Sequence, residues 1–156
     1  MLPTGCITWL QAEQACALAG KRLLTNDKWQ RAAAGTTDDL PPDENSPPCN
    51  TFAGDGPVLT GSRSACVSRW GAYDMVGNLY EWIGDWGDRS ATCENWPPEF
   101  GNDVSCFEGA GNGLPGAVMR GGYSGLTGEG NAGVFAVAVI NGPSFGVEGI
   151  GFRCGR

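Results

Sequence analysis

Histidine is absent from the 156-residue chain, and with it the usual proton acceptor of Ser and Cys nucleophiles. The histidine ligands of redox iron sites are absent for the same reason. The ten Lys and Arg residues form no run and the net charge is −7, so nucleic acids and anionic membrane surfaces are poor partners. The longest apolar stretch, residues 132–140, is far shorter than the roughly 20 residues of a membrane helix.

None of the seven cysteines belongs to a C-x-x-C pair, which excludes a zinc ribbon or a thioredoxin motif. Two pairs flank Gly/Pro-rich stretches, where a bridge closing the loop contributes about 3 kcal/mol. We predict these two bridges: Cys49 with Cys66, and Cys93 with Cys106. Cys6 or Cys16 would then pair with Cys154. Disulfides favour a virion or cell surface, whereas in the cytoplasm all seven cysteines would remain thiols.

The composition and patterning predict a loop-rich α+β domain. Gly contributes 26 residues and Pro ten, while six Trp and six Phe supply apolar area for a core. A capping box beginning at Thr8 predicts a first helix over 8–19, and Thr25 caps a second helix that ends before Gly35. Strands are predicted at 117–120, 133–140 and 150–154, with short strands or turns at 75–76 and 81–83 and loops at 36–67 and 87–116.

Four ordered motifs are similar to those of a known family: ITWLQAEQACALAGKRLLTNDKWQRAAAG, GAYDMVGNLYEWIGDW, RGG and GIGFR. Together they resemble the formylglycine-generating-enzyme (sulfatase-modifying factor) domain, a subtype of the C-type lectin fold, over residues 7–154. The resemblance implies one domain over 1–156, with two N-terminal helices and small twisted antiparallel sheets. It also leaves room for further sequence upstream.

Three kinds of protein share this domain, and the residues distinguish between them. The formylglycine-generating enzymes use a cysteine pair shortly after Arg-Gly-Gly to bind copper, but residues 123–130 contain no Cys. The ergothioneine sulfoxide synthases need histidines. The AGVFA and PS segments followed by IGFR resemble the tail of ligand-binding proteins varied by diversity-generating retroelements. That similarity implies a non-catalytic binding protein, the alternatives being an atypical formylglycine-generating oxidase or a fixed structural module.

The resemblance places the diversified positions within about 120–153. Side chains alternate along a strand, so Phe135, Val137 and Val139 are expected in the core, with Ala138 and Ile140 on the contact face. In the family that this tail resembles, diversification changes adenines in a template, and Asn codons altered in this way can yield every residue type of the predicted set. They cannot yield Glu, so Glu129 and Glu148 are left out of the set. The predicted contact residues are Tyr123, Ser124, Leu126, Ala138, Ile140, Asn141, Phe145, Val147 and Gly149. Alternatively, Ile140 and Phe145 are ordinary core residues.

The aromatic and apolar character of this set makes a protein the expected ligand, with a glycan second. Arg120 and Arg153 are expected to brace the framework through hydrogen bonds to buried acids or loop carbonyls. Residues 74–81 resemble a calcium loop of the family. The implied structural Ca²⁺ ligands are the Asp74 and Glu81 side chains and the Gly77 and Leu79 carbonyls. Alternatively, the two acids bind backbone amides or the framework arginines.

Overall fold

The computed structural model describes residues 1–37, 48–51, 56–107, 113–124 and 132–156. Helix α1 spans Trp9–Leu18 and begins with the expected capping box, in which Thr8 and Gln11 exchange hydrogen bonds. Helix α2 spans Asn26–Ala33 and buries Trp29 and Ala33. Both helices therefore lie where the sequence pattern predicts them.

Within the described ranges, eight strands form two sheets. Their bounds are β1 Arg22–Leu23, β2 Tyr80–Asp88, β3 Glu94–Asn95, β4 Val104–Cys106, β5 Pro115–Arg120, β6 Val137–Asn141, β7 Ile150–Phe152 and β8 Cys154–Gly155. The larger sheet has the order β3-β4-β6-β5-β2-β7, and β1 pairs with β8 in the smaller one. The expectation of antiparallel sheets is corrected here, because β2 with β7 and β4 with β6 are parallel pairs.

The longest strand, β2, is also the largest departure from the sequence pattern, which indicated only short strands or turns there. Residues 80–83 are all buried, so this half of the strand shows no polar and apolar alternation. Gly84 and Gly87 follow in the second half, where the sequence looks like a turn. Strands β3 and β4 likewise lie inside the predicted loop 87–116. Burial on both faces conceals a strand from pattern analysis.

The larger sheet separates two apolar clusters. On one face, Trp82 and Met119 pack with helix α1 through Ala12 and Cys16. On the other face, Ile83, Val118 and Val139 pack with Trp29 of helix α2. Alternating residues of β2 and β5 thus face opposite layers, as strand geometry requires.

Three disulfides fasten this loop-rich fold. Two are the expected bridges, Cys49–Cys66 and Cys93–Cys106, and the third joins Cys16 of α1 to Cys154 of β8 across 138 positions of sequence. Cys6 is free and exposed. Among the described residues, no helix has both the length and the apolar character needed to cross a bilayer.

A candidate ligand-binding face

A cavity of about 550 Å³ opens beside the ends of β6 and β7, and we call its lining the concave face. Its rim carries three apolar side chains that are about 40% exposed: Ile140, Phe145 and Val147. The remaining lining is formed by Tyr80, Cys93, Val104, Cys106, Met119, Tyr123, Asn141, Glu148, Gly149 and Ile150. Six of the nine predicted contact residues therefore meet at one surface.

Main-chain hydrogen bonds hold the loop 142–149 that forms one wall. The Cys6 amide donates to the Val147 carbonyl at 3.1 Å, and the Trp9 amide donates to the Pro143 carbonyl at 3.1 Å. At the far end, the Tyr80 amide donates to the Gly149 carbonyl at 2.9 Å. The loop is thus anchored to the N-terminal segment and to β2 without using its own side chains.

Two predicted contact residues do not reach this face, and the prediction is corrected for both. Ser124 is buried, and its amide and hydroxyl both donate to the Asn78 carbonyl, at 3.4 and 3.3 Å. Ala138 is fully buried because apolar clusters cover both faces of β6: Ala138 packs in the cluster that contains helix α1, and Val137 and Val139 pack in the cluster that contains Trp29 of α2. Leu126 lies outside the described residues.

The floor of the concave face was not anticipated from the sequence. Tyr80 of β2 stands opposite Ile150 of β7, and Met119 of β5 stands opposite Ala138 of β6. These residues meet only because of the strand order, so no local sequence signal marks them. Tyr80 also packs against Tyr123, with 5.6 Å between the ring centroids.

Burial raises the pKa of Tyr80 to about 12, and the nearby Tyr123 adds to the shift. In the unfolded chain a tyrosine ionises near pH 10, so the folded protein retains the phenol proton that the unfolded chain releases. The stability that this neutral phenol permits is complete below about pH 10 and is lost as pH rises toward 12.

We therefore expect the wild type to lose stability relative to Tyr80→Phe between about pH 10 and pH 12. The loss approaches, at most, about 1.4 kcal/mol per pH unit. Chemical unfolding at several pH values measures it, with Tyr73→Phe as the control because Tyr73 is exposed. Parallel curves for the wild type and Tyr80→Phe would contradict the prediction.

The two framework arginines make the kinds of contact expected of them. Arg153 pairs with Glu81, with 2.7 Å between Nη2 and Oε1, and its Nη2 also donates to the Tyr73 carbonyl. The Arg120 guanidinium donates to the carbonyls of Phe135 and Ala136 at 3.0 and 2.7 Å. Burial lowers the pKa of Arg120 to about 10, which leaves it charged at neutral pH. Both side chains brace segments that lead into the concave face.

The two acids of the predicted calcium set both accept hydrogen bonds from other protein groups. Glu81 accepts hydrogen bonds from Arg153 and from Trp29 Nε1, so a guanidinium already holds its carboxylate. Asp74 accepts from the Gly61 amide at 2.8 Å, and burial raises the pKa of this carboxyl. Gly77 packs against the Asn50 carbonyl. The alternative in which these acids bind an amide and an arginine therefore describes the contacts in the structure, and the calcium site stays a prediction.

Leu79, Asp74 and Glu81 line one small cavity of about 230 Å³. Asp74 Oδ1 is buried there and has no hydrogen-bond partner within the described residues. In that same part of the chain, no group of three or more Cys, Asp or Glu side chains could hold a metal ion. The predicted set combines two side-chain carboxylates with two backbone carbonyls, so a structural Ca²⁺ here stays a prediction.

A second cavity of about 390 Å³ lies on the opposite face of the larger sheet. Its aromatic lining comes from Trp86, Trp96, Phe107 and Phe135. Phe135 was expected in the core, but it is half-buried and packs edge-on against Phe100. It precedes β6 rather than belonging to it, so the strand alternation does not apply to its side chain.

The family description "Sulfatase-modifying factor enzyme 1-like domain" matches residues 1–156. A serine/threonine-protein kinase pkn1 of Chlamydia caviae is 36% identical over 89 residues, which are 54% of this chain and 14% of the kinase. A formylglycine-generating enzyme of Thermomonospora curvata is 30% identical over 102 residues, or 54% of this chain and 33% of the enzyme. The chain thus matches only a minor part of either protein.

Two solved structures show the same fold. The Major Tropism Determinant P3c variant aligns with a TM-score of 0.65 and 23% identity, over 94% of this chain and 36% of that one. Treponema denticola variable protein 1 aligns with a TM-score of 0.61 and 20% identity, over 98% of this chain and 70% of that one. Both alignments cover more than nine-tenths of this chain, so the similarity is one of the whole fold.

Proposed function

The chain belongs to the sulfatase-modifying factor enzyme 1-like domain family, and within that family we propose that it is a non-catalytic ligand-binding protein. Its concave face is the contact surface, and a diversity-generating retroelement varies the side chains there. The corrected contact set is Tyr123, Ile140, Asn141, Phe145, Val147 and Gly149. The names of the two solved neighbours, a tropism determinant and a variable protein, support this choice over an enzyme.

The observation that carries the proposal is that main-chain atoms hold the loop in place while its side chains remain exposed. The loop 142–149 is held by backbone hydrogen bonds to Cys6, Trp9 and Tyr80. Phe145 and Val147 are meanwhile about 40% exposed on that loop. Such a loop keeps its path when its side chains are exchanged, as repeated diversification requires.

The chemistry of the concave face favours a protein ligand. Aromatic and aliphatic side chains around a cavity are typical of the buried centre of a protein interface, with Tyr contributing a large contact area at low entropic cost. The polar groups among the lining side chains are few: the two phenols of Tyr80 and Tyr123, the Asn141 amide and the Glu148 carboxylate. A glycan, which needs many hydrogen bonds, is the second choice.

Three disulfides support a location outside the reducing cytoplasm. A virion or cell surface is where a recognition protein meets its target, so we place the protein there. Anaerobic purification followed by mass measurement before and after reduction tests this placement. Free thiols at all seven cysteines would contradict it.

The exchange of rim side chains can be tested with a matched pair of isoleucines. Ile140 on the rim is 39% exposed and Ile150 beneath it is 2% exposed. We expect Ile140→Ser to lower the unfolding free energy by about 1 kcal/mol or less. Ile150→Ser should lower it by about 4 kcal/mol, because it leaves a cavity and buries a hydroxyl.

Urea unfolding of the two variants measures the difference. Val147→Ser and Val139→Ser form a second matched pair, with 41% and 1% exposure. Equal losses within either pair would mean that the rim is structural, and the proposed contact surface would then be wrong.

Diversification itself is tested in the DNA and in closely related isolates. We expect an adenine-rich template repeat beside the gene, and differences between isolates concentrated at residues 123, 140, 141, 145, 147 and 149. Absence of both would leave a fixed binding module. Similarity to a formylglycine-generating enzyme keeps an oxidase as the alternative, which turnover of a Cys-containing sulfatase peptide with copper would establish.

A further inference from the structure

Tyr123 and Gly149 lie next to each other in the lining of the concave face. A Cβ atom added at Gly149 would lie 2.7 Å from Cδ2 and 2.9 Å from Cε2 of the Tyr123 ring. Real Cβ atoms essentially never come within 3.0 Å of a heavy atom in this way. The aromatic ring therefore occupies the space that any side chain at position 149 would need.

Neither partner can move aside freely. Ser124, which follows Tyr123, is tied to the Asn78 carbonyl, and Gly149 is tied to the Tyr80 amide. The Tyr80 ring packs on Tyr123 at 5.6 Å between centroids, with the ring of Tyr80 buried. The φ of Gly149 lies outside the left-handed region, so its backbone would accept alanine without strain. The obstacle at position 149 is thus the ring alone.

We propose that positions 123 and 149 form one coupled specificity unit. An aromatic residue at 123 requires glycine at 149, whereas a small residue at 123 admits a side chain at 149. The two combinations would give the concave face different depths at the same point. The role of this unit in recognition rests on the proposed function of the concave face, but the steric coupling itself is independent of any ligand.

The consequence for recognition is a restriction on the repertoire. Both positions belong to the set compatible with altered Asn codons, so single changes such as Gly149→Ala would arise. A variant with Tyr at 123 and Ala at 149 would fold less stably than either compensated pair. The stable versions of the surface therefore combine particular residues at these two positions, although mutation changes each position separately.

A thermal double-mutant cycle tests the coupling without a ligand. We expect Gly149→Ala to lower Tm by about 3–10 °C in the wild type, since overpacking forces the ring from its place. In a Tyr123→Ser background the same substitution should lower Tm by less than about 1 °C. In a Tyr123→Phe background the full loss should remain, because the contacting ring carbons are still present.

Gly146→Ala is the matched control, since its added Cβ would approach the backbone of Ile7 and Thr8 at 3.2 Å. Its penalty should be the same whether position 123 is Tyr or Ser. An equal penalty for Gly149→Ala in all three backgrounds would overturn the coupling. That result would leave the proposed function intact, whereas an invariant gene with a confirmed cycle would remove the proposed diversification and keep the coupling.

Discussion

Replacement of both Cys16 and Cys154 by alanine lowers the unfolding free energy by about 5 kcal/mol in the chain-entropy description of cross-links. The bridge joins residues 138 positions apart, whereas the other two bridges span 17 and 13. Releasing a long loop gives the unfolded chain more freedom than releasing a short one. This bridge therefore contributes more than either of the others.

Urea unfolding monitored by circular dichroism measures the loss, with Cys93→Ala/Cys106→Ala as the matched control. For that shorter loop the expected loss is about 3 kcal/mol. Both cysteines must be replaced together, because a single change would leave a second free thiol in addition to that of the exposed Cys6. A larger loss for the shorter loop would show that loop entropy does not set the ranking.

Replacement of Arg120 by methionine is expected to be the most damaging single substitution in the framework. The side chain is 4% exposed, and its guanidinium donates to the carbonyls of Val134, Phe135 and Ala136. It also contacts Gln30 and lies over the Trp29 ring at 4.7 Å. Methionine keeps much of the stem but leaves three carbonyls without this donor, so we expect a loss of about 4 kcal/mol or more.

Two further variants sharpen this prediction. Arg120→Lys keeps the charge but replaces a planar fork by a single ammonium, so it should recover less than half of the loss. Arg22→Met is the control, because Arg22 is exposed on the two-residue strand β1. Its effect should stay within about 0.5 kcal/mol. If Arg120→Met lost no more than Arg22→Met, the framework role of Arg120 would be refuted.

The parts of the fold that local chemistry determines were predictable from the sequence. Thr8 marks the start of α1 through a capping box, and Gly20 and Gly35 adopt left-handed backbone conformations just after the two helices. The two short-range disulfides join cysteines that flank Gly/Pro-rich stretches. The partner of Cys154 stayed open between Cys6 and Cys16, because a pairing across most of the chain leaves no local signal.

The candidate site was predictable in its rim but not in its floor. Ile140, Phe145 and Val147 belong to a tail that resembles the tail of proteins varied by diversity-generating retroelements, and all three side chains are exposed. Ala138 was misplaced because alternation assigns one face of a strand to solvent, whereas apolar clusters cover both faces of β6. Tyr80 was missed because it reaches the site through the parallel pairing of β2 with β7.

The backbone anchoring of the loop 142–149 has a consequence for how such a protein would change over generations. In its hydrogen bonds to the amides of Cys6, Trp9 and Tyr80 the loop contributes only backbone carbonyl oxygens. Every residue type has this oxygen. A replacement of Phe145 or Val147 therefore leaves the starting shape available to the next replacement. Each new set of side chains is therefore presented by the same loop backbone, whatever side chains preceded it. A replacement that fails to bind a ligand leaves the backbone path unchanged for the next one.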